Sequence, residues 1–591
     1  MDIRNALKES IAHSLSGLDI SVGAQNVPLE HPAELKNGDY SCSIAMQLFG
    51  QAAKASNREF KNDDNVRPIH TGNFGFSGHT NPRALAEKIV AKLGTIDGIA
   101  KIEIAGAGFI NFYLAPSVLA AAVETARKED MWGSNATQKG KTVMMEYTDP
   151  NPFKEFHIGH LVPNALGESV SRLFQFSGAT VKRANYQGDV GIHVAKSIFI
   201  LLEKKITDPT IADLSAAYPE GSKRYEEDAE AKTAIDALNK KIYEKSDAKI
   251  NDLYEKGRKL SLEHFEEIYK VLGTKFDYYF FESAAGPIGV EIVRAHPEIF
   301  PGSEGAVIFR GEEYGLHTRV FLNKQGLPTY EAKELGLARL KEDTCAFDLA
   351  MTITGNEQGE YFKVVMKAME FALPELRGKL AYKTNGMLRF AEGKMSSRTG
   401  NIIRGEDLLA DLASAAKTRA AESLTRRPTT EGRADDAEKL SMDIAVAAIK
   451  YQILKQAFSK DIIFDRERAL SLEGDSGPYL QYAHARAQQI VEKAKEQSVA
   501  AKVDANVEPN DLVRLLHRFP EAVEYATAHT EPHLLTNYLL EFAAAFNSWY
   551  AQVHVLDGTP EAAHKVALVD AVRRTLKNGL WVLGIPSPNK M

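Results

Sequence analysis

A ten-residue stretch, "NPFKEFHIGH" from Asn151 to His160, brings two imidazoles, one ammonium and a glycine close together. Apolar residues then recur at helical spacing: Leu161, Val162, Ala165, Leu166, Val170, Leu173 and Phe174. This periodicity predicts a helix from about Gly159 to Phe176, with Gly178 as the residue just past its end. A helix N-terminus offers unpaired N–H groups and a positive dipole end, which together favour phosphate. His157 and His160 add donors to that end. Gly159 leaves the backbone open to a flat base, and Lys154 adds a mobile cation. Such a set can bind a nucleoside triphosphate and neutralise charge growing on it, by electrostatics rather than covalent catalysis. The same histidines are equally compatible with a capping or surface role. Their i, i+3 spacing also permits a metal, but no third-ligand pattern accompanies them.

A second basic loop, "EGKMSSRTGN", runs from Glu392 to Asn401, with Lys394 and Arg398 among small hydroxyl residues. It is not a P-loop. Six residues rather than four separate Gly386 from Gly393, and Met395 stands where Ser or Thr is needed. No G-x-G-x-x-G occurs.

The elements that must carry these loops are readable in outline. "TVMMEY" ahead of the first loop has the apolar, β-rich character of a short buried strand, and "ATVKRANY" after the helix reads as another. Strand, helix and strand in that order make a βαβ unit, in which ligands sit at the carboxyl ends of the strands. "NPFKEFHIGH" occupies that place. Upstream, "KIEIAGAGFINFYL" alternates like a strand pair and closes a first block near Leu114. From about Ile206 to Phe265 the chain is polar, charged and helical, and is read as an insertion. "TRRPTTEGRADDAE", Thr425 to Glu438, is the best linker candidate. Beyond it the pattern is almost entirely helical.

The chain has 591 residues, 44% hydrophobic and 26% charged, which is ordinary for a globular protein of three or four domains. No apolar run approaches the ~18 residues of a membrane-crossing helix, and the start has no secretory h-region. Cys42 and Cys345 are the only cysteines, so a disulfide framework and a Cys-based zinc site are excluded; a cytoplasmic protein is expected. The net charge of −7 places any nucleic-acid contact on a local basic patch, such as "AKTRAAESLTRR" from Ala416 to Arg427.

Taken together, H-I-G-H after a first strand and a K-M-S loop more than two hundred residues later resemble the class I aminoacyl-tRNA synthetases. Within them the chain resembles the arginyl-tRNA synthetases over nearly its whole length. "DPNPFKEFHIGHL", "NYQGDVGIHV", "FDYYFFES" (Phe276 to Ser283), "SGPYLQYAHAR" (Ser476 to Arg486) and "RRTLKNGLWVLGI" match that family's motifs in order. The resemblance implies a multidomain chain: an N-terminal α+β tRNA-binding domain (1–118), an α/β Rossmann-like catalytic domain with a parallel sheet (119–410, with an insertion at about 206–320), and a C-terminal all-α helical bundle that binds the anticodon (411–591).

It also implies an arginine–tRNA ligase. Arginine and Mg-ATP would give arginyl-adenylate and pyrophosphate, and the 2′-hydroxyl of the terminal adenosine of tRNA(Arg) would then take the arginyl group. ATP would carry its Mg2+ in as a substrate complex, with no tightly bound metal or prosthetic group, and a monomer is expected. Lys154, His157, His160 and Lys394 would be catalytic, and Gly159, Met395 and Ser396 would join the histidines and Lys394 around ATP. Class I enzymes usually read K-M-S-K-S; Ser397 replaces the second lysine here, and Lys154 is the residue the resemblance nominates to supply that charge. Glu146, Asn151, Tyr330, Glu334 and Gln358 would hold arginine. The family has Tyr-x-x-x-Asp where this chain has Tyr330 and Glu334, so the carboxylate sits one methylene further out. Asn111, Tyr482 and Trp549 would touch tRNA, with Tyr479 and Tyr550 as further aromatic candidates. A different class I synthetase and an inactive paralogue that only binds tRNA are the competing readings. Two cysteines argue against a cysteinyl enzyme, and the retained Lys154, His157, His160 and Lys394 argue for activity.

Overall fold

The computed structural model describes residues 3–58, 81–391, 403–424 and 434–591. The loop bearing Lys394, Met395 and Ser396 and the expected linker up to residue 433 lie outside the described residues. The chain divides into two compact units, one of residues 1–130, 490–518 and 545–574, the other of 131–489, 519–544 and 575–591.

In the first unit, helices α1 (Ile3–Ser16), α2 (Ile44–Arg58) and α3 (Pro82–Leu93) accompany an antiparallel sheet. Its strands are β1 (Leu29–Glu30), β2 (Tyr40–Cys42), β3 (Ile99–Ala105) and β4 (Phe109–Leu114), in the order β1-β2-β4-β3. The last two are the strand pair expected from "KIEIAGAGFINFYL". Helix α4 (Pro116–Lys128) follows.

The second unit is built on five parallel strands: β5 (Thr142–Glu146), β6 (Thr180–Gln187) and β7 (Tyr278–Phe281) precede two more, which follow a small antiparallel sheet of β8 (Gly302–Ser303), β9 (Ala306–Phe309) and β10 (Arg319–Leu322). Those two are β11 (Leu349–Gly355) and β12 (Leu380–Asn385), and the order is β12-β11-β5-β6-β7. β5 lies in the centre, so the loop leaving its carboxyl end opens where the strand order reverses. In a parallel sheet covered on both faces a central strand is apolar on both sides, and Val143, Met144 and Met145 are all fully buried. Helix α5 (Ile158–Phe176) is the predicted one, and Gly178 closes it at φ +94°, a conformation only glycine takes freely.

After β6 and α6 (Ile192–Glu203), the polar stretch forms α7 (Ile211–Glu227), α8 (Ala229–Glu244) and α9 (Ala248–Leu272). Their core contains Val194, Ile198, Leu214, Ile235, Ile242 and Leu253, and also Phe153 from the signature loop. The insertion was expected to run to about 320. The helices end at Leu272, and β7 rejoins the main sheet beside β6, so the expected span includes a core strand. The "FDYYFFES" motif was quoted for resemblance alone, and strand pairing at this sequence distance leaves no local signal. Helices α10 (Glu282–Ala295), α11 (Tyr330–Thr344) and α12 (Gly359–Ala372) pack with the sheet around Phe280, Phe321, Leu335, Leu337, Ala350 and Val365. The remainder is helical apart from β13 (Leu388–Phe390) paired with β14 (Ile462–Phe464): α13 (Gly405–Leu424), α14 (Ala434–Leu454), α15 (Arg466–Ala469), α16 (Gly477–Glu496), α17 (Asp511–His529), α18 (Pro532–Gln552) and α19 (Ala562–Val582). No helix among the described residues is long and apolar enough to cross a membrane.

Candidate active site

The loop from β5 to α5 is held in an unusual backbone path. Thr148, Asp149 and Phe153 have φ of 83°, 45° and 65°, which costs free energy at non-glycine residues and persists only where neighbours over-determine it. The neighbours are identifiable. Asp149 Oδ1 accepts the Tyr186 N–H at 2.8 Å, and Asn151 Oδ1 accepts the Gly188 N–H at 2.9 Å. The Phe153 N–H donates to Ser261 Oγ of α9 at 3.0 Å, and its ring is buried.

His157 is the N-cap of α5. Its Nδ1 accepts the Gly159 N–H at 3.1 Å, and His160 Nδ1 accepts the His157 N–H at 3.1 Å. The rings stack with centroids 3.8 Å apart. A ring nitrogen that accepts an N–H carries no proton, so this network assigns the remaining proton of each ring to Nε2. Burial lowers both pKa values, strongly for His160, and Lys154 lowers them further. Both histidines are therefore neutral donors at pH 7. Gly159 has a steric reason beyond ligand access: a Cβ there would stand 2.8 Å from the His157 ring. The segment after the second loop meets this one, since the Ile158 N–H donates to Ile403 O at 3.1 Å and the Gly405 N–H to Phe156 O at 2.8 Å. Lys154 extends its ammonium over the Tyr218 ring, 4.9 Å from the centroid.

At the carboxyl ends of β5 and β11 lies a cluster of carboxyl groups. Glu146 is 2% exposed; its Oε1 accepts from Thr352 Oγ1 at 3.0 Å, and Lys341 Nζ stands 2.5 Å from its Oε2. Burial raises the Asp149 carboxyl well above the usual range, and the Glu146 charge raises it further. Burial and then Glu146 push Glu334 up to about 8, against the opposing pull of Lys341. Glu334 is part-buried as a residue, its carboxyl end being the enclosed part. Glu282, at the start of α10, is buried and paired with Lys333 Nζ at 2.5 Å; burial still leaves its pKa raised. The phenols of Tyr186 and Tyr361 are pushed up by burial and then by Glu282 and Glu334 respectively, and neither hydroxyl has a hydrogen-bond partner among the described residues. Buried polar atoms are normally satisfied. A site with more carboxyl groups than lysines, two of them pushed toward the protonated form, and two unused phenol oxygens is one that a cation rich in N–H donors suits. No group of three or more His, Cys, Asp or Glu among the described residues is arranged to hold a metal ion.

Tyr330 opens α11 and is 69% exposed, with Lys333 Nζ 5.3 Å from its ring centroid. Gln358 follows β11 and is exposed. Glu282, Lys341, Tyr186 and Tyr361 were not among the residues nominated from sequence, although "FDYYFFES" and "NYQGDVGIHV" contain Glu282 and Tyr186. The nominated tRNA contacts are scattered. Asn111 lies in β4, 4% exposed, its Oδ1 accepting from Ser41 Oγ at 2.7 Å, so a direct tRNA contact would require it to leave this position. Tyr482 is part-buried and already carries the Arg486 guanidinium on its ring at 4.6 Å. Trp549 is part-buried beside Phe546 and lines a small cavity with Val507, Val513, Val553 and Leu568.

Three family models match the chain: tRNA synthetases class I (R), catalytic domain, over 122–466; DALR anticodon binding domain over 480–591; and arginyl tRNA synthetase N terminal domain over 5–114. An arginine–tRNA ligase of Clostridium botulinum is 30% identical over 608 aligned positions, covering 100% of both chains. One of Clostridium beijerinckii is 31% identical, covering 86% of this chain and 91% of its own. The fold matches that of Thermus thermophilus arginyl-tRNA synthetase, with a TM-score of 0.77 at 23% identity over 100% of both chains. It also matches the Plasmodium falciparum arginyl-tRNA synthetase, with a TM-score of 0.75 at 18% identity over 99% and 98%. A catalytic-domain model that spans more than half of the chain, flanked by two further models in the same order, means that this chain belongs to the class I arginyl-tRNA synthetase family.

Proposed function

We infer that the chain activates arginine with ATP and transfers it to tRNA(Arg), the reaction for which its relatives are named. The observation that carries this reading is the carboxyl cluster with its unused phenol oxygens, set beside a helix N-terminus bearing two neutral histidines. One half suits a guanidinium and the other a triphosphate.

Glu334 and Glu146 accept the guanidinium N–H groups, with Tyr330 at the mouth of the site. The Asn151 oxygen is spent on Gly188, so its NH2 donors are what it offers the substrate carboxylate. Gln358 stands near the amino end. The arginine carboxylate attacks the α-phosphate of Mg-ATP, the P–O bond to pyrophosphate breaks, and the electron pair leaves with pyrophosphate. His157 and His160 donate Nε2–H to phosphate oxygens. The Gly159 backbone borders the base, and Lys154 neutralises charge on the leaving group. Lys394, Met395 and Ser396 of the second loop are the remaining ATP contacts in this reading. Chemistry of this kind needs positioning and charge neutralisation more than covalent help. The 2′-hydroxyl of the terminal adenosine then attacks the adenylate carbonyl and AMP leaves.

The N-terminal block and the helical C-terminal region, where Tyr482 and Trp549 lie, contact tRNA. The chain works in the cytoplasm, as a monomer, with Mg2+ entering on ATP. Pyrophosphate exchange with arginine, lysine, citrulline and cysteine, each with and without total tRNA, tests this. Exchange with arginine alone among the four supports it, and dependence on tRNA adds tRNA-coupled activation. Exchange with another amino acid breaks the assignment of Glu146, Tyr330 and Glu334. Silence in folded protein favours an inactive tRNA-binding paralogue.

A further inference from the structure

The helical insertion grips the signature loop along its length. One face of α9 carries Tyr254, Gly257, Arg258, Ser261, Phe265 and Tyr269 at helical spacing. Ser261 bonds the Phe153 backbone, Gly257 gives the Phe153 ring its room, and Phe265 and Tyr269 pack on Phe156. Tyr254 and Arg258 bond Asp189 at 3.1 Å each, and Asp189 also accepts from the Ser283 hydroxyl at 2.7 Å. Helix α7 reaches the next two residues. Ser215 lies near the Glu155 carboxyl and opposes the upward push of burial on its pKa, and Tyr218, three positions on, faces Lys154. A capping box between Thr210 and Asp213 fixes the start of α7.

Lys154 has no ion-pair partner among the described residues, yet its charge is felt at His157, His160, His193 and Glu282. A lysine meant for phosphate poses a physical problem. A carboxylate would hold its flexible stem in place but would neutralise the ammonium and compete with the substrate. An aromatic face attracts the ammonium through the ring quadrupole and leaves its charge uncompensated. The Tyr218 ring stands in that relation to Lys154.

We propose that Tyr218 is a positioning residue for adenylate formation, its ring face aiming the Lys154 ammonium at the triphosphate. The proposal rests on the reading of Lys154 as a phosphate contact. The ring does the work, not the hydroxyl. The test is pyrophosphate exchange with arginine and total tRNA, measuring KM for ATP and for arginine separately. Tyr218→Leu should lower kcat/KM for ATP by roughly 2- to 30-fold, the range of a partly exposed to desolvated cation–π contact, with KM for arginine unchanged. Tyr218→Phe keeps the face and should recover most of that loss. Adding Tyr218→Leu to Lys154→Ala should bring no further loss, since the contact is already gone. A silent Lys154→Ala would refute the phosphate reading of Lys154. An impaired Lys154→Ala beside a Tyr218→Leu with wild-type ATP kinetics would overturn the role of Tyr218 alone. Full additivity in the double variant, or a Tyr218→Phe as poor as Tyr218→Leu, would likewise overturn it. Thermal melting of each variant identifies any that has lost its fold, and should Tyr218→Leu do so, Tyr218→Met removes the ring face in its place with the same expected loss.

Discussion

The proton held by the carboxyl cluster gives the most demanding prediction. In the empty site burial and the Glu146 charge push Glu334 up to about 8, so at pH 7 the carboxyl group is mostly protonated. In the proposed function arginine binds the carboxylate form of Glu334, and its guanidinium then lowers the pKa. The free-site pKa is then the higher of the two, and the proton competes with arginine only below it. Arginine affinity should therefore rise with pH to about 8 and level off above. One proton displaced per arginine gives a slope approaching tenfold in KM per pH unit well below the pKa, and about 50-fold or about 2.3 kcal/mol between pH 6 and 8. Glu334→Gln removes both the titration and a charge-assisted contact. Truncating one partner of a buried charge pair costs roughly 2–5 kcal/mol, or about 30- to 5,000-fold in kcat/KM for arginine. The assay is tRNA-charging kinetics at varied arginine from pH 6 to 9, with calorimetry in two buffers of different ionisation heat to count released protons. Asp149→Asn, which alters a neighbouring carboxyl, should keep a pH slope. A flat wild-type KM across pH 6 to 8, or a Glu334→Gln that binds arginine as the wild type does, would refute the reasoning.

Other perturbations follow from the same contacts. His160→Asn keeps an acceptor for the His157 N–H but removes the outward donor; the exchange rate should fall roughly 10²–10³-fold while the melting temperature stays near wild type. Because both histidine pKa values are lowered, the wild-type exchange rate should show no histidine inflection above pH 6.5. Gly257→Ala would set a Cβ 2.3 Å from the Phe153 ring; overpacking of this kind costs about 1–3 kcal/mol, and exchange activity should drop, with recovery when Phe153→Leu is added. Lys450, fully enclosed, donates to Leu272 O at 2.6 Å and Gly584 O at 2.8 Å, and burial pushes its pKa down to about 7. A lysine whose pKa is lowered on folding loses stability as pH falls toward that value. The stability of the wild type over Lys450→Met should therefore grow by about 2.3 kcal/mol in total from pH 7 to 9, read by chemical denaturation.

The strand, loop and helix start that carry the two histidines were legible in the sequence because their logic is local. A short apolar strand, an N-cap position, two histidines within one turn and a helical repeat all lie within some forty residues, and each acts through neighbours in the chain. Tyr330 and Glu334 lie one turn apart on α11, but they were nominated through the resemblance to the family's Tyr-x-x-x-Asp. The span of the insertion was misjudged where β7 pairs with β6, since hydrogen bonds across a sheet join residues about ninety positions apart and mark neither sequence. The carboxyl cluster depended on tertiary structure. Thr352 and Lys341 reach Glu146 from β11 and α11, each roughly two hundred residues downstream. The Tyr186 and Tyr361 phenols become unpaired only once the sheet and α12 bury them. Nor does any local pattern show that Tyr218, in a polar helix that reads as an ordinary solvated insertion, lies against Lys154. Sequence by itself determined which groups are available and the turn of helix on which the histidines sit. Tertiary packing decided which charges share a low-dielectric space, and so which of them hold protons and where a substrate cation is needed.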